Sequence, residues 1–120
     1  MTTIQSYRDL IVWQKSMDLI IMVYRLTEQF PKSEIYGLSS QMRRASISIS
    51  SNIAEGKARG TRKDYRHFPL TALGSGAELE TQIEIAKRLS FANHSDFLKI
   101  DTVLEEIMKM LTVLIKKLGT

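Results

Sequence analysis

The stretch QMRRASISISSNIAEGKAR, residues 41–59, decides the fold of this chain. At about 100° per residue it forms a helix with one apolar stripe of large side chains and a second, nearly opposite stripe of smaller ones. Serine and glycine lie between the two stripes, and a helix that is apolar on two sides is usually covered on two sides. The first stripe consists of Leu38, Met42, Ala45, Ile49 and Ile53, and the second of Ile47, Ala54 and Ala58.

Three further helices are predicted around this stretch, because helical periodicity runs through the chain and strand patterns do not. With short connections they predict an all-α fold, an up-and-down antiparallel four-helix bundle that forms a single domain over residues 1–120. The predicted helices cover residues 8–29, 39–58, 62–90 and 96–118. Pro69 predicts a bend in the third helix or, alternatively, its division into two helices.

The predicted first helix is apolar on two sides as well. We expect one stripe to face the core of the chain and the other to meet a partner surface, which predicts a homo-oligomer. The stripe expected in the core is Leu10, Trp13, Met17, Ile20, Ile21 and Tyr24. The predicted oligomer interface consists of Val12, Leu19, Val23 and Leu26 from this helix, with Ile47 and Ala54 from the second helix.

The composition excludes several classes of protein. A chain of 120 residues that is 43% hydrophobic can build one core. Because the chain has no cysteine and only two histidines, we expect no disulfide framework, no metal site and no cofactor. The start of the sequence lacks a signal-peptide pattern, and no apolar run is long enough to cross a bilayer. A soluble, cytoplasmic protein without a membrane partner is therefore predicted.

The net charge of +4 is concentrated in one quarter of the chain. Residues 41–70 carry seven basic and two acidic side chains, whereas the remainder is close to neutral. This asymmetry favours an anionic partner, with an ordinary solvated basic surface as the alternative. Tyr65 and His67 interleave with the later cations and could stack on bases. The predicted nucleic-acid-binding residues are Arg43, Arg44, Lys57, Arg59, Arg62, Lys63 and Arg66.

The sequence favours no catalytic site. The serines among residues 48–51 have no histidine in their helix, and one Asp-x-x-His pair, Asp64 with His67, is a weak metal signal. Arg62 and His67 have the R-x4-H spacing of HEPN-type RNA-cleaving domains, in which arginine stabilises a phosphorane and histidine moves a proton. Those enzymes favour Asn, Asp or His where this chain has Lys63. A ribonuclease is therefore an alternative to the expected non-enzymatic protein.

Three segments resemble the bacterial four-helix-bundle proteins of the 23S rRNA intervening-sequence type, the S23 family. They are YRDLIVWQKSMDL (7–19), FPKSEIYGLSSQMRRASISISSNIAEGKAR (30–59) and GSGAELETQIEIA (74–86), and the part QMRRASISISSNIAEG is the specific one. The resemblance implies an up-and-down bundle and a ring-like homopentamer. A related branch, the accessory proteins of diversity-generating retroelements, resembles the family in forming the same barrel-like ring of subunits. Those proteins work with a reverse transcriptase and RNA. The chain departs from the family pattern at Pro69, where an apolar helix former is usual, and at Gly76, where the residue is commonly larger.

We therefore expect a non-enzymatic, homo-oligomeric helical bundle, pentameric by resemblance, that binds RNA or a nucleoprotein partner through its basic residues. The alternative is a protein-interaction scaffold with no nucleic-acid role.

Overall fold

The computed structural model of the chain describes residues 6–59 and 62–119, and for residues 62–65 it describes the backbone alone. These described residues form four α-helices and no strand. The helices are α1 (Ile11–Thr27), α2 (Leu38–Arg59), α3 (Arg62–Arg88) and α4 (His94–Leu118). Short 3-10 turns at Tyr7–Asp9 and Lys32–Glu34 precede α1 and α2. The helices pack around one hydrophobic core in a molecule that measures 44 × 26 × 20 Å.

The first helix begins later than the sequence predicts. The capping box of Ser6 and Asp9 is present, but it starts the 3-10 turn, and Leu10 then adopts an extended conformation before α1 begins at Ile11. At its other end, Glu28 follows α1 and turn-like hydrogen bonds lead to Phe30 and Pro31. The helix therefore has 17 residues, fewer than the predicted segment 8–29.

The assignment of the two faces of α1 was wrong, because the predicted interface residues lie in the core of the chain itself. The predicted core residues Met17, Ile21 and Tyr24 are instead 40%, 51% and 38% exposed. The buried stripe includes Ser16, whose hydroxyl donates to the carbonyl of Trp13 and accepts from Ser50 at 2.8 Å. The residues placed wrongly at the interface are Val12, Leu19, Val23 and Leu26, which are between 0% and 8% exposed.

A serine in the middle of the stripe explains the error. A pattern of apolar residues does not include Ser16. The stripe that contains Ser16 therefore shows a less continuous apolar periodicity in the sequence than the stripe on the other side of the helix. A small side chain with a buried hydrogen bond lets α1 and α2 pack closely. The stripe of α1 that contains Ser16 is therefore the one that faces the core. The sequence therefore identifies α1 as apolar on two sides, and packing decides which side is buried.

The second helix follows the sequence prediction closely. Met42, Ala45, Ile49 and Ile53 are buried, and the small residue Gly56 is buried as well. The opposite stripe is accessible: Ile47 is 41% exposed and Ala54 is partly exposed. These two predicted interface residues thus lie on the surface of the chain, unlike the four from α1.

The third helix is continuous through Pro69, so the alternative of two separate helices is wrong. Pro69 is fully buried, and packing retains it in the helix despite the hydrogen bond that proline removes. Gly76 is buried where α3 passes α4, and a Cβ atom there would collide with Sδ of Met108. The absence of a side chain at Gly76 therefore lets α4 of the same chain approach α3 closely.

Contacts between the helices fix which parts lie side by side. Ser16 early in α1 meets Ser50 late in α2, whereas Thr27 at the end of α1 meets Arg43 early in α2. Likewise Ser75 in α3 meets Ser48 of α2 at 2.8 Å. The end of α2 and the start of α3 consequently lie at the same end of the molecule as the start of α1.

Two ion pairs attach α4 to its neighbours. Lys87 of α3 contacts Asp101 at 2.5 Å, and Lys15 of α1 contacts Glu106 at 2.7 Å. The side chain of Asn93 caps α4 by accepting a hydrogen bond from the backbone N–H of Asp96. The helix then runs to Leu118, so its last residues return to the end of the molecule where α3 begins.

Candidate nucleic-acid interface

The seven predicted nucleic-acid-binding residues do not form one patch. Arg43 and Arg44 lie early in α2, and Lys57 and Arg59 lie in its last turn. At 1.5 Å per residue, Arg43 and Arg59 are separated by roughly 24 Å along the helix. The predicted set is therefore divided between the two ends of α2.

The pair early in α2 is engaged within the chain. Nε of Arg43 donates to Oγ1 of Thr27 at 2.9 Å, and its guanidinium lies 4.5 Å from the ring centre of Tyr24. Arg44 donates to Gln41 at 2.6 Å and contacts Glu78 of α3 at 3.3 Å. Arg43 thus ties α2 to α1, and Arg44 ties it to α3.

The later cations lie where α2 ends, α3 begins and α4 ends, and we call this region the basic end. Arg59 contacts Glu55 at 3.6 Å and lies 5.2 Å from the ring centre of Phe68. Arg66 is exposed and lies beside the end of α4, since a Cβ atom on Gly119 would be 3.1 Å from its Nε. Lys57 is half-buried. The side chains of Arg62 and Lys63 lie outside the described residues.

Sequence reasoning missed three cations at the basic end. Lys116 and Lys117, both exposed, belong to the last turn of α4, which ends beside Arg66. Arg8 is exposed in the turn before α1, and this turn packs against α2. About 50 residues separate each of these sites from residues 57–66 in the sequence. The only signal was the direction of each predicted helix, since α4 of an antiparallel bundle ends where α3 begins.

Aromatic rings accompany the cations. The guanidinium of Arg8 lies 5.6 Å from the ring centre of Tyr7 and 5.8 Å from that of Trp13, and these two rings meet edge to face at 5.2 Å. His67 is exposed, and its ring contacts Phe68 at 5.2 Å. Cations with nearby aromatic rings suit contacts to phosphates and stacking on unpaired bases. The side chain of Tyr65, the other predicted stacking residue, lies outside the described residues.

Two serines of α2 form hydrogen bonds to other helices. Ser48 meets Ser75 of α3, and Asn52 donates to both the carbonyl and the hydroxyl of Ser48. Ser50 donates to Ser16 of α1. In the part of the chain that the structure describes, no cluster of three or more histidine, cysteine or acidic residues could hold a metal ion. Among these residues there is also no helix with the length and apolarity to cross a bilayer.

A second candidate surface lies on the opposite side of the α1–α2 pair from the core. We call it the α1–α2 apolar surface. Tyr24, Ile35, Tyr36 and Ile47 line an open groove of 410 Å³ on it, together with Ser40, Arg43 and Arg44. Tyr36 is 96% exposed. The complete surface comprises Met17, Ile21 and Tyr24 of α1, Ile35 and Tyr36 of the connection, and Ile47 of α2. Exposed apolar side chains collected in one area mark interaction surfaces.

Comparisons with known proteins agree with the four-helix architecture. The family model described as 23S rRNA-intervening sequence protein matches residues 8–113. Among solved structures, the chain is similar to a protein with unknown function from the S23 ribosomal protein family of Bacteroides thetaiotaomicron. The TM-score is 0.79 at 25% identity, over 88% of this chain and 99% of that one. No curated protein matches the sequence. Because the family model spans most of the sequence, this chain belongs to the 23S rRNA-intervening sequence protein family.

Proposed function

We propose that this chain is a non-enzymatic, homo-oligomeric four-helix bundle of the cytoplasm that binds RNA, alone or within a nucleoprotein, through its basic end. The helices have an up-and-down arrangement in this proposal, and five copies form a ring. The contacts of Ser16 with Ser50, and of Arg66 with the end of α4, support this order of the helices. The family supplies the context, since the matching model is named for intervening sequences of 23S rRNA.

The observation that carries the proposal is the convergence of cations from separate parts of the sequence. Arg59 and Arg66 are joined at the basic end by two lysines of α4 that the local charge pattern does not include. Binding to RNA backbones depends chiefly on such clusters, because each phosphate that meets a cation releases a condensed counterion. The cations Arg43 and Arg44 take no part, because they lie early in α2, roughly 24 Å along the helix from Arg59.

Assembly would strengthen binding that is weak for one copy. A ring carries several basic ends on one particle, so a single RNA can contact more than one of them, and the effective concentration for each further contact is high. The α1–α2 apolar surface is the proposed subunit interface, and the partly exposed Ala54, two turns after Ile47 on α2, extends it. This replaces the α1 residues that lie in the core.

RNA binding can be tested by fluorescence anisotropy with a structured RNA at low and at moderate salt. The test variant carries Arg59→Gln, Arg66→Gln, Lys116→Gln and Lys117→Gln. The matched control carries Arg25→Gln, Lys32→Gln, Arg88→Gln and Lys99→Gln, which remove the same charge from exposed residues far from the basic end. We expect the test variant to lose at least about tenfold in affinity, and the control to lose much less. Equal losses, or no binding by the wild type at low salt, would reject the proposal.

The non-enzymatic part of the proposal has its own test. His67 contacts Phe68, but the side chain of its possible partner Arg62 lies outside the described residues. We expect wild-type protein and the His67→Ala variant to leave a labelled RNA equally intact. Cleavage by the wild type that His67→Ala abolishes would instead support the ribonuclease alternative.

A protein-interaction scaffold is the second candidate, and the exposed Tyr36 favours it. A tyrosine that is 96% exposed beside the half-exposed Ile35 is a typical contact for a protein partner. This function predicts a partner that remains bound after nuclease treatment and that is lost in a Tyr36→Ala variant. A partner released by nuclease would support RNA binding.

A further inference from the structure

An arginine that lies over two aromatic rings occupies the turn before α1, and we call Tyr7, Arg8 and Trp13 the Arg8 cluster. The guanidinium of Arg8 lies 5.6 Å from the ring centre of Tyr7 and 5.8 Å from that of Trp13, and the two rings meet edge to face. Both rings are half-buried, whereas Arg8 is exposed. The rings therefore support the guanidinium from the protein side, and a ligand can reach it from the solvent.

The backbone of Arg8 is held in place as well. Its N–H donates to Oγ of Ser6 at 3.1 Å, and its carbonyl accepts a hydrogen bond from Nε2 of Gln14 at 2.9 Å. An arginine that is free to move loses conformational entropy when it binds a ligand, and this loss weakens binding. Because hydrogen bonds and aromatic rings already restrict Arg8, the loss is smaller at this residue. Arg8 is thus preorganised to bind a ligand.

The guanidinium of Arg8 has no hydrogen bond or ion pair among the described residues. Arg43 and Arg59 also lie over aromatic rings. Each of these two arginines has a polar partner within the chain, Thr27 for the first and Glu55 for the second. The N–H groups of Arg8, by contrast, remain available. A planar cation with unpaired donors suits a ligand that combines a planar ring with acceptor oxygens, as a nucleotide does.

The Arg8 cluster lies beside the basic end. Trp13 precedes Ser16 by about one turn, and Ser16 contacts Ser50 of α2. Because α1 and α2 run in opposite directions, the residues before Trp13 continue from this contact toward the last turn of α2, where Arg59 lies. The turn that carries Arg8 packs against the same helix. A strand of RNA bound at the basic end can therefore extend to Arg8 along one surface.

We propose that the Arg8 cluster binds an unpaired nucleotide and so adds a contact that only single-stranded RNA can make. The base stacks on the guanidinium of Arg8, and N–H groups at the edge of the guanidinium donate to a phosphate of the same strand. In a duplex each base is paired and stacked between its neighbours, so no face of it is open to this arginine. The inference rests on the proposed RNA binding and adds the class of RNA to it.

The test uses Trp13, the only tryptophan of the chain, as a fluorescent reporter inside the cluster. The full chain is titrated at low salt with a short unstructured RNA strand, and separately with the blunt duplex that this strand forms with its complement. Anisotropy of the labelled RNA gives the affinity, and tryptophan emission reports on the cluster. We expect the single strand to quench the emission of Trp13 in a saturable manner. The duplex should bind but leave the emission nearly unchanged.

Two substitutions separate stacking from charge. Arg8→Lys keeps the charge but removes the planar group, so it should bind the single strand at least about fivefold more weakly and the duplex like the wild type. Arg25→Lys is the matched control, because Arg25 is an exposed arginine near the other end of α1. This control should change neither affinity.

The inference is overturned if the bound single strand leaves the emission of Trp13 unchanged, or if Arg8→Lys binds the single strand like the wild type. It is also overturned if Arg8→Lys loses the same affinity for both RNAs, or if it changes only the melting temperature. Duplex binding by the wild type would leave RNA binding at the basic end intact in each of these cases. If the wild type binds neither RNA at low salt, the inference and the proposed function are both rejected.

Discussion

The guanidinium of Arg43 lies 4.5 Å from the ring centre of Tyr24, while its Nε donates to Oγ1 of Thr27. A residue that the charge pattern assigns to RNA is thereby part of the contact between α1 and α2. Arg43→Ala should lower the free energy of unfolding by about 1–2 kcal/mol, through loss of a charged hydrogen bond and a cation–π contact.

Urea denaturation measures this effect, and Arg88→Ala is the control. Arg88 is highly exposed, and among the described residues it makes only an i,i+4 contact with Glu84 at 3.6 Å, so its removal should leave the stability nearly unchanged. An Arg43→Ala protein as stable as the Arg88→Ala protein would contradict a structural role for Arg43.

The α1–α2 apolar surface predicts self-association that charge can prevent. Light scattering should give a mass several times the 13.7 kDa of the chain, and Ile21→Glu/Ile47→Glu should reduce it to that of the monomer. The control is Leu98→Glu/Val113→Glu, which changes equally exposed apolar residues of α4. A wild-type protein that is monomeric at micromolar concentration would show that the chain does not self-associate. Dissociation by the α4 variant, but not by the α1–α2 variant, would place the interface on α4.

Two glycines of α3 should respond oppositely to alanine. A Cβ atom on Gly74 would have no neighbour within 4 Å, so Gly74→Ala should stabilise the protein by about 0.5–1 kcal/mol through helix propensity. A Cβ atom on Gly76 would collide with Met108, and overpacking typically costs about 1–3 kcal/mol. Thermal unfolding of both variants tests this contrast. A Gly76→Ala protein that gains as much as Gly74→Ala would show that Met108 moves away without cost.

Ser90 is the one non-glycine residue with a positive φ, 56°, in the described part of the chain. It ends α3 in a Schellman motif, in which Ser90 donates to the carbonyl of Lys87 and Phe91 to that of Ala86. Glycine adopts this conformation more readily, so Ser90→Gly should raise the stability by about 0.5–1 kcal/mol.

Ser51→Gly is the control for that substitution. Ser51 is exposed in the regular part of α2, where glycine should destabilise instead. A lower melting temperature for both glycine variants would contradict this prediction. It would show that serine adopts the left-handed conformation at position 90 without a cost in stability.

Periodicity was sufficient to predict the helices and the inner stripe of α2, because Met42, Ile49 and Ile53 recur with helical spacing and no competing stripe of large residues exists. It failed on α1, where Ser16 interrupts the buried stripe. It also left Pro69 undecided, since local propensity disfavours a helix that tertiary packing maintains.

The candidate site was only partly predictable for a related reason. Charge along the sequence locates Arg59 and Arg66, but it cannot distinguish a cation engaged between helices, such as Arg43, from one that faces solvent. It also cannot bring Lys116 to the same surface, because that requires the three-dimensional path of α4. Tertiary contacts therefore divide the predicted residues between the two ends of α2 and bring three further cations to the basic end.

The most direct test of the central claim is the salt dependence of RNA binding by wild type, by the four-site variant at Arg59, Arg66, Lys116 and Lys117, and by Arg44→Gln. Each phosphate contact contributes roughly 0.7–0.9 to the slope of log K against log salt. We predict that the four-site variant loses several such increments, whereas Arg44→Gln keeps the wild-type slope. A four-site variant with the wild-type slope, or an equal loss per charge in Arg44→Gln, would contradict RNA binding at the basic end.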